Sequence, residues 1–151
     1  MRPEAYRQLA AVEDRHWWYR GMRRTAAMLA SSTGDFTGAV LDAGCATGGF
    51  LRQMAPALGV GVDLHPASLS FARGAGTAVA RASVAALPFP SNSFDAVISI
   101  DVLYHRAVAD DVAVLRELAR VLLPGGSCLV QVPALPRLLG DHDRVVHTRE
   151  R

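Results

Sequence analysis

The sequence has no lysine: all 16 basic residues among its 151 are arginine. That excludes a Schiff-base lysine, and with it ordinary pyridoxal-phosphate and lysine-aldolase chemistry. It also excludes a phosphate loop ending in Gly-Lys-Ser/Thr and the strand lysine of a protein kinase. Cysteine is nearly as scarce. Cys45 and Cys128 each sit in an apolar, strand-like run, with no Cys-x-x-Cys or Cys/His ligand spacing. No zinc site is expected, and a reduced, cytoplasmic setting is. No segment approaches the ~20 apolar residues of a membrane span. The charged N-terminus has no signal-peptide core, so no membrane partner is expected.

An excess of charge of one sign is also missing, since the net charge is only +2. Residues 1–30 carry six Arg against three acids, 31–131 six against eight, and 132–151 four against three. The mildly acidic middle argues against a nucleic-acid groove, and the basic start reads as a solvated helix face. What is abundant is apolar: half of the residues are hydrophobic. That suits one domain with one sizeable core.

Helical spacing predicts helices over 3–12 and 15–31. In the second, Trp18, Met22, Ala26 and Leu29 form the apolar face, with Arg15, Arg23 and Arg24 elsewhere. From residue 38 short apolar runs alternate with helices. Strands are expected at 39–41, 60–62, 78–82, 94–100 and 127–132, and helices at 48–56, 66–74 and 108–123. The last helix should bury Val108, Val112, Leu115, Leu118, Ala119 and Leu122 and stop at Pro124-Gly125-Gly126. Such alternation means an α/β, doubly wound parallel sheet with helices on both faces.

The chemistry concentrates in Val40-Leu41-Asp42-Ala43-Gly44-Cys45-Ala46-Thr47-Gly48-Gly49-Phe50. A strand delivers an acid, and small residues then turn the chain into a helix. A ligand can lie against bare backbone there, with an anionic group near the free N–H groups of the helix start. Gly44, Ala46 and Gly49 also fit a loose dinucleotide fingerprint. Asp63 ends the next strand, where a carboxylate can accept two bonds from a ribose diol or merely cap the following helix. A nicotinamide and an adenosyl ligand both satisfy these features.

Four blocks in order resemble the class I S-adenosylmethionine-dependent methyltransferases of the small-molecule type. They are Leu41-Asp42-Ala43-Gly44-Cys45-Ala46-Thr47-Gly48, then Gly61-Val62-Asp63-Leu64, then Leu87-Pro88-Phe89-Pro90-Ser91-Asn92-Ser93-Phe94-Asp95-Ala96-Val97, then Leu115-Arg116-Glu117-Leu118-Ala119-Arg120-Val121-Leu122-Leu123-Pro124-Gly125-Gly126. The resemblance covers roughly residues 38–133 and implies a Rossmann-like sheet of five parallel strands in the order 3-2-1-4-5. It implies a helical cap over 1–33, a cofactor-binding domain over 34–134 and a tail over 135–151.

S-adenosyl-L-methionine is the cofactor so implied. Asp42 and the backbone of Ala43 and Gly44 resemble the part that holds its methionine moiety, and Gly48 the part that closes over it. Asp63 resembles the ribose acid and Leu64 an adenine contact. Ser83 and Val84 align with the adenine edge, where the family usually has an acid; this chain has Ser83. Ala46 replaces the usual middle glycine, and its methyl is tolerable only at negative φ. Leu123 stands where lysine is common. Asp101, Tyr104 and His105 follow the fourth strand and should face the methyl group or the acceptor.

His105 is the first candidate for a general base, with Tyr104 and Asp101 behind it; alternatively, it only packs at the strand end or caps the next helix. The His16-Trp17-Trp18-Tyr19-Arg20 stretch resembles a lid or acceptor wall, or else packs on the sheet edge. Asp141, His142 and Asp143 read as solvated, so no metal site is expected. The expected activity is methylation of a small-molecule acceptor. The rivals are a non-catalytic or truncated cofactor-binding module and an NAD(P)-dependent oxidoreductase. The family fold usually adds two strands after the fifth, and only 18 residues follow Pro133 here. The chain therefore reads as C-terminally short, with the fifth strand an open edge for a homo-oligomer.

Overall fold

The computed structural model describes residues 3–133. Helices α1 (Pro3–Val12) and α2 (Trp17–Thr33) precede strand β1 (Ala39–Ala43). Then follow α3 (Gly49–Met54), β2 (Leu58–Asp63), α4 (Pro66–Gly74), β3 (Ala78–Arg81), β4 (Phe94–Ile100), α5 (Asp111–Val121) and β5 (Leu122–Gln131). All five strands are parallel and lie in the order β3-β2-β1-β4-β5, as expected. The chain winds outward from β1 to one edge and then crosses to the other. The crevice at the C-terminal ends of β1 and β4 is therefore the switch point where such sheets take ligands. The residues from 134 onward, including Asp141, His142, Asp143 and the tail over 135–151, lie outside the described residues.

Strand alternation splits the core between the two faces. Leu41, Ala43, Val62 and Val97 meet α5 through Val114, Leu118 and Val121. Val40, Ala96 and Ile98 meet α2 and α3 through Ala26, Ala30, Phe50 and Leu51. Helix starts follow local chemistry. Pro66 begins α4 behind a His65 cap, and the Asp110 carboxylate accepts the N–H groups of Val112 and Ala113 at the head of α5. Helix α3 stops before Pro56, with Ala55 left-handed at φ 46°.

Three details depart from the sequence expectation. The buried stripe of α5 is Val114, Leu118 and Val121, while Val112 and Leu115 are exposed. The helix begins only at Asp111, behind the Asp110 cap, and Val114, Leu118 and Val121 at i, i+4 and i+7 form the face it turns to the sheet. On α2 the buried residues are Arg23, Ala26 and Ala30, whereas Trp18 and Leu29 are exposed. Arg23 turns inward because it meets a buried acid there. Strand β5 begins at Leu122 rather than after the glycines. It pairs with Phe94, then slips register across the Pro-Gly-Gly segment, where Gly125 takes φ 82°.

The third and fourth family-like blocks are bonded to each other. Arg120 donates to the carbonyls of Leu87 (3.1 Å) and Phe89 (2.8 Å), and Glu117 accepts the Leu87 N–H (2.7 Å). Glu117 also pairs with Arg120 at 2.7 Å. The Pro-Phe-Pro loop has few ladder bonds of its own, so this ion pair satisfies its backbone. Among the described residues β5 is an edge strand bonded to β4 alone, and no helix is long and apolar enough to cross a membrane.

Candidate functional site

The turn after β1 is held by its neighbours. Gly44 and Cys45 donate their N–H groups to the Val62 carbonyl at 2.8 and 2.9 Å, which draws the turn onto the end of β2. Gly44 has φ 100°, and a Cβ there would run into Val102, the residue after Asp101. Only glycine lets the ends of β1 and β4 approach so closely. Gly48 also lies in the left-handed region, at φ 78°.

Ala46 overturns the expectation of a negative φ: it sits at φ 46°. Its N–H donates to Asp63 Oδ2 at 3.1 Å, so a hydrogen bond to the end of β2 holds the alanine in a conformation that glycine prefers. Ala46→Gly is expected to stabilise the protein by about 0.5–1 kcal/mol, read as a higher denaturant midpoint at unchanged slope. An unchanged or lower midpoint would show that no strain is stored there.

Asp63 is bonded on both oxygens, since Oδ1 accepts the His65 N–H at 2.8 Å. The cap of α4 is His65 rather than Asp63. Asp42 is buried, and among the described residues no ion pair reaches it. Burial, and secondarily the nearby Asp63 carboxylate, pushes its pKa up to about 7. Burial also raises Asp101 to about 6, and its backbone is left-handed at φ 58°. Cys45 is buried too, and burial first, then the charges of Asp42 and Asp63, pushes its thiol up.

The structure thus brings Asp42, Ala43, Gly44, Gly48 and Asp63 together, with Asp101 joined through Val102. Leu64 is 47% exposed beside Asp63. Ser83 and Val84 are placed differently. The Ser83 hydroxyl accepts the Ala85 N–H at 3.2 Å, and Val84 is buried in the core. Tyr104 and His105 lie in the loop after β4. His105 Nδ1 accepts the Ala107 N–H at 3.1 Å, within its own turn rather than as the cap of α5. Trp17 and Trp18 are 74% and 55% exposed and meet edge to face, so these rings do not pack on the sheet.

Sequence reasoning missed four residues. Tyr6 of α1 is buried against His65, with ring centroids 4.9 Å apart. Burial, then the charge of Asp63, raises its phenol pKa. Glu13, Arg23 and Thr47 form a buried cluster under the turn. Glu13 accepts the Thr47 hydroxyl (2.7 Å), Arg52 (2.9 Å) and Arg23 (3.0 Å). One signal could have exposed Arg23: it lies three and seven residues before Ala26 and Ala30, small residues suited to close packing.

The family profile described as "Methyltransferase domain" matches residues 41–130. The chain belongs to this methyltransferase-domain family. S-adenosylmethionine is the cofactor that membership implies. "Probable tRNA methyltransferase 9B" of Mus musculus is 35% identical over 97 residues, covering 64% of this chain and 22% of the relative. The demethylmenaquinone methyltransferase of Tropheryma whipplei (strain Twist) is 34% identical over 135 residues, covering 85% of this chain and 53% of the relative. An S-adenosylmethionine-dependent methyltransferase from Mesorhizobium loti superposes with TM-score 0.59 at 27% identity, covering 76% of this chain and 52% of that one. The chain therefore spans between a fifth and about half of the two curated relatives' lengths.

The donor set fits this cofactor. Among the described residues no ion pair reaches the buried Asp42, which suits a ligand with cationic groups, as the ammonium and sulfonium of S-adenosylmethionine are.

Proposed function

We propose that the chain binds S-adenosylmethionine along the turn from Gly44 to Gly48, and that the protein methylates a small-molecule acceptor. The supporting observation is the pairing of a buried Asp42 with an Asp63 that already fixes the turn. When bound, the cofactor supplies a methyl group on a positively charged sulfur, open to in-line displacement. Asp42 then offsets the cationic methionine end, and the bare backbone at Ala43 and Gly44 lets it approach. Asp63 retains unused lone pairs on both oxygens for the ribose hydroxyls. Leu64 offers an apolar surface to the adenine. Ser83 and Val84 contribute backbone at most, since the serine hydroxyl is turned into its own loop.

Asp101, Tyr104 and His105 are assigned to the acceptor side. A neutral His105 whose Nδ1 accepts a backbone N–H carries its proton on Nε2. It can then donate to an acceptor, and it serves as a base only after Nδ1 leaves that bond. Methyl transfer needs a base only when the nucleophile must lose a proton; alignment and exclusion of water carry the rest. The exposed Trp17 and Trp18 rings suit a wall for an apolar acceptor. The mildly acidic stretch over 31–131 disfavours a polyanion, although the similar proteins include both a probable tRNA methyltransferase and a demethylmenaquinone methyltransferase by name.

Isothermal titration with S-adenosylhomocysteine against NAD tests the cofactor. NAD binding without adenosylhomocysteine binding would sink the proposal. A methyl-transfer assay over small hydroxyl, amine and carbon acceptors, with unmodified tRNA as a separate arm, tests the acceptor. Transfer to tRNA alone would overturn the small-molecule assignment, and cofactor binding without turnover on any acceptor would favour a non-catalytic module.

A further inference from the structure

We propose that Glu13, acting through Thr47, is a positioning residue for the cofactor turn; this rests on the cofactor assignment above. Glu13 and Thr47 are 34 residues apart in sequence, and both are buried. The acid stands in the short connection between α1 and α2, outside the Rossmann-like sheet. Thr47 stands inside the turn, between left-handed Ala46 and left-handed Gly48.

The grip on Thr47 is double. Its hydroxyl donates to Glu13 Oε1 at 2.7 Å, and its carbonyl accepts Arg52 Nη1 at 2.6 Å. Arg52 Nη2 donates to the same Oε1 at 2.9 Å, which closes a ring of bonds through Glu13, Thr47 and Arg52. The other oxygen, Oε2, takes Arg23 Nη1 at 3.0 Å. Arg23 Nη2 reaches the Glu13 carbonyl (3.0 Å) and Asp14 (2.9 Å), which fixes the connection itself. Gly49 makes room for this cluster, because a Cβ there would stand 2.5 Å from both Arg23 Nη1 and Glu13 Oε2.

A structural ion pair would need only Glu13 and Arg23. Two of the additional bonds end on Thr47, one on its hydroxyl and one on its carbonyl, in the segment whose shape is least favourable by itself. Left-handed non-glycine residues persist where surrounding contacts over-determine them. Ala46 is held from one side by Asp63 and, through Thr47, from the other by Glu13. Loosening the Glu13 end should therefore be felt at the ribose acid, across the whole turn. Because the turn is what the cofactor touches, the defect should appear in affinity and not only in folding stability.

Thr47→Val keeps the shape and removes the hydroxyl, Thr47→Ser keeps the hydroxyl, and Glu13→Gln keeps the size and removes the charge. Each is titrated with S-adenosylhomocysteine by calorimetry, with melting temperature measured alongside. Thr47→Val is expected to bind about tenfold more weakly, and Thr47→Ser to stay near wild type. The Glu13→Gln, Thr47→Val double variant should lose less than the product of the two single losses, since the singles share one bond. Wild-type affinity in Thr47→Val, or independent effects in the double variant, would overturn the proposal even if every variant melts earlier. If Glu13→Gln does not fold, the Thr47 pair decides: valine weak and serine normal supports the role, and equal affinities overturn it. Wild-type protein that binds no adenosylhomocysteine would overturn the cofactor assignment itself, and this role with it.

Discussion

Asp42→Asn should make the ligand-free protein more stable at pH 8 while weakening its hold on S-adenosylmethionine at least about tenfold. The sign follows from burial. The folded carboxyl titrates near 7, whereas an unfolded one titrates near 3.8. Between those values the folded state holds a proton that the unfolded state has lost. Stability therefore falls as pH rises through that window, and the whole penalty is present above about pH 7. At ~1.36 kcal/mol per unit the penalty is on the order of 4 kcal/mol. Asparagine is neutral at every pH and escapes it. The variant should melt higher at pH 8 by roughly 5 °C or more, with the gap closing towards pH 4. A gap independent of pH would show that the ionised carboxylate is not the cause. Binding should move the other way, because cationic groups beside Asp42 favour its ionised form. Wild-type affinity should rise from pH 5.5 to pH 8 more steeply than that of the asparagine variant, and binding below pH 7 should release a proton that two buffers of different ionisation enthalpy would reveal. The acid is then a group kept at the expense of the empty fold for the sake of its ligand.

The parts of this architecture that were legible in the sequence are those that local chemistry decides. Pro66 after a histidine, glycines after a short apolar run, and acids at strand ends each act within a few residues. They placed α4, the turn after β1, and Asp42 and Asp63 where the structure has them. The parts that stayed hidden depend on partners far along the chain. Arg23 reads as a surface charge until Glu13 is seen beside it, ten residues away. Ala46 reads as a residue needing negative φ until Asp63, seventeen residues on, is seen holding its N–H. The start of α5 hangs on which of several polar residues caps it, and Asp110 does. Tyr6 reaches the site only because α1 lies against α4, beside His65. In each case the sequence shows the residue type, and a tertiary contact decides its role.

Asp63→Ala should weaken S-adenosylhomocysteine binding by at least about tenfold, for two separable reasons. Charge-assisted bonds to the ribose diol are worth about 1.5–3 kcal/mol each. Asp63 also anchors Ala46 (3.1 Å) and His65 (2.8 Å) through their N–H groups, so alanine loosens the turn before any ligand arrives. A cofactor analogue lacking the 2′-hydroxyl separates the two. Wild type should prefer the ribo form severalfold, because one acceptor bond to Asp63 is lost with the hydroxyl. Asp63→Ala should scarcely distinguish the two forms, while binding both more weakly than wild type binds the deoxy form. That last difference is the contribution of the turn. If the alanine variant still prefers the ribo form as strongly as wild type, the diol is held by another group, and Asp63 serves only to fold the turn. If it binds the deoxy form as well as wild type does, Asp63 acts on the ribose alone, and the left-handed Ala46 stands without its help. The same comparison in the Thr47→Val variant should show the ribo preference reduced but present, since that substitution leaves the carboxylate in place and disturbs only the backbone that aims it.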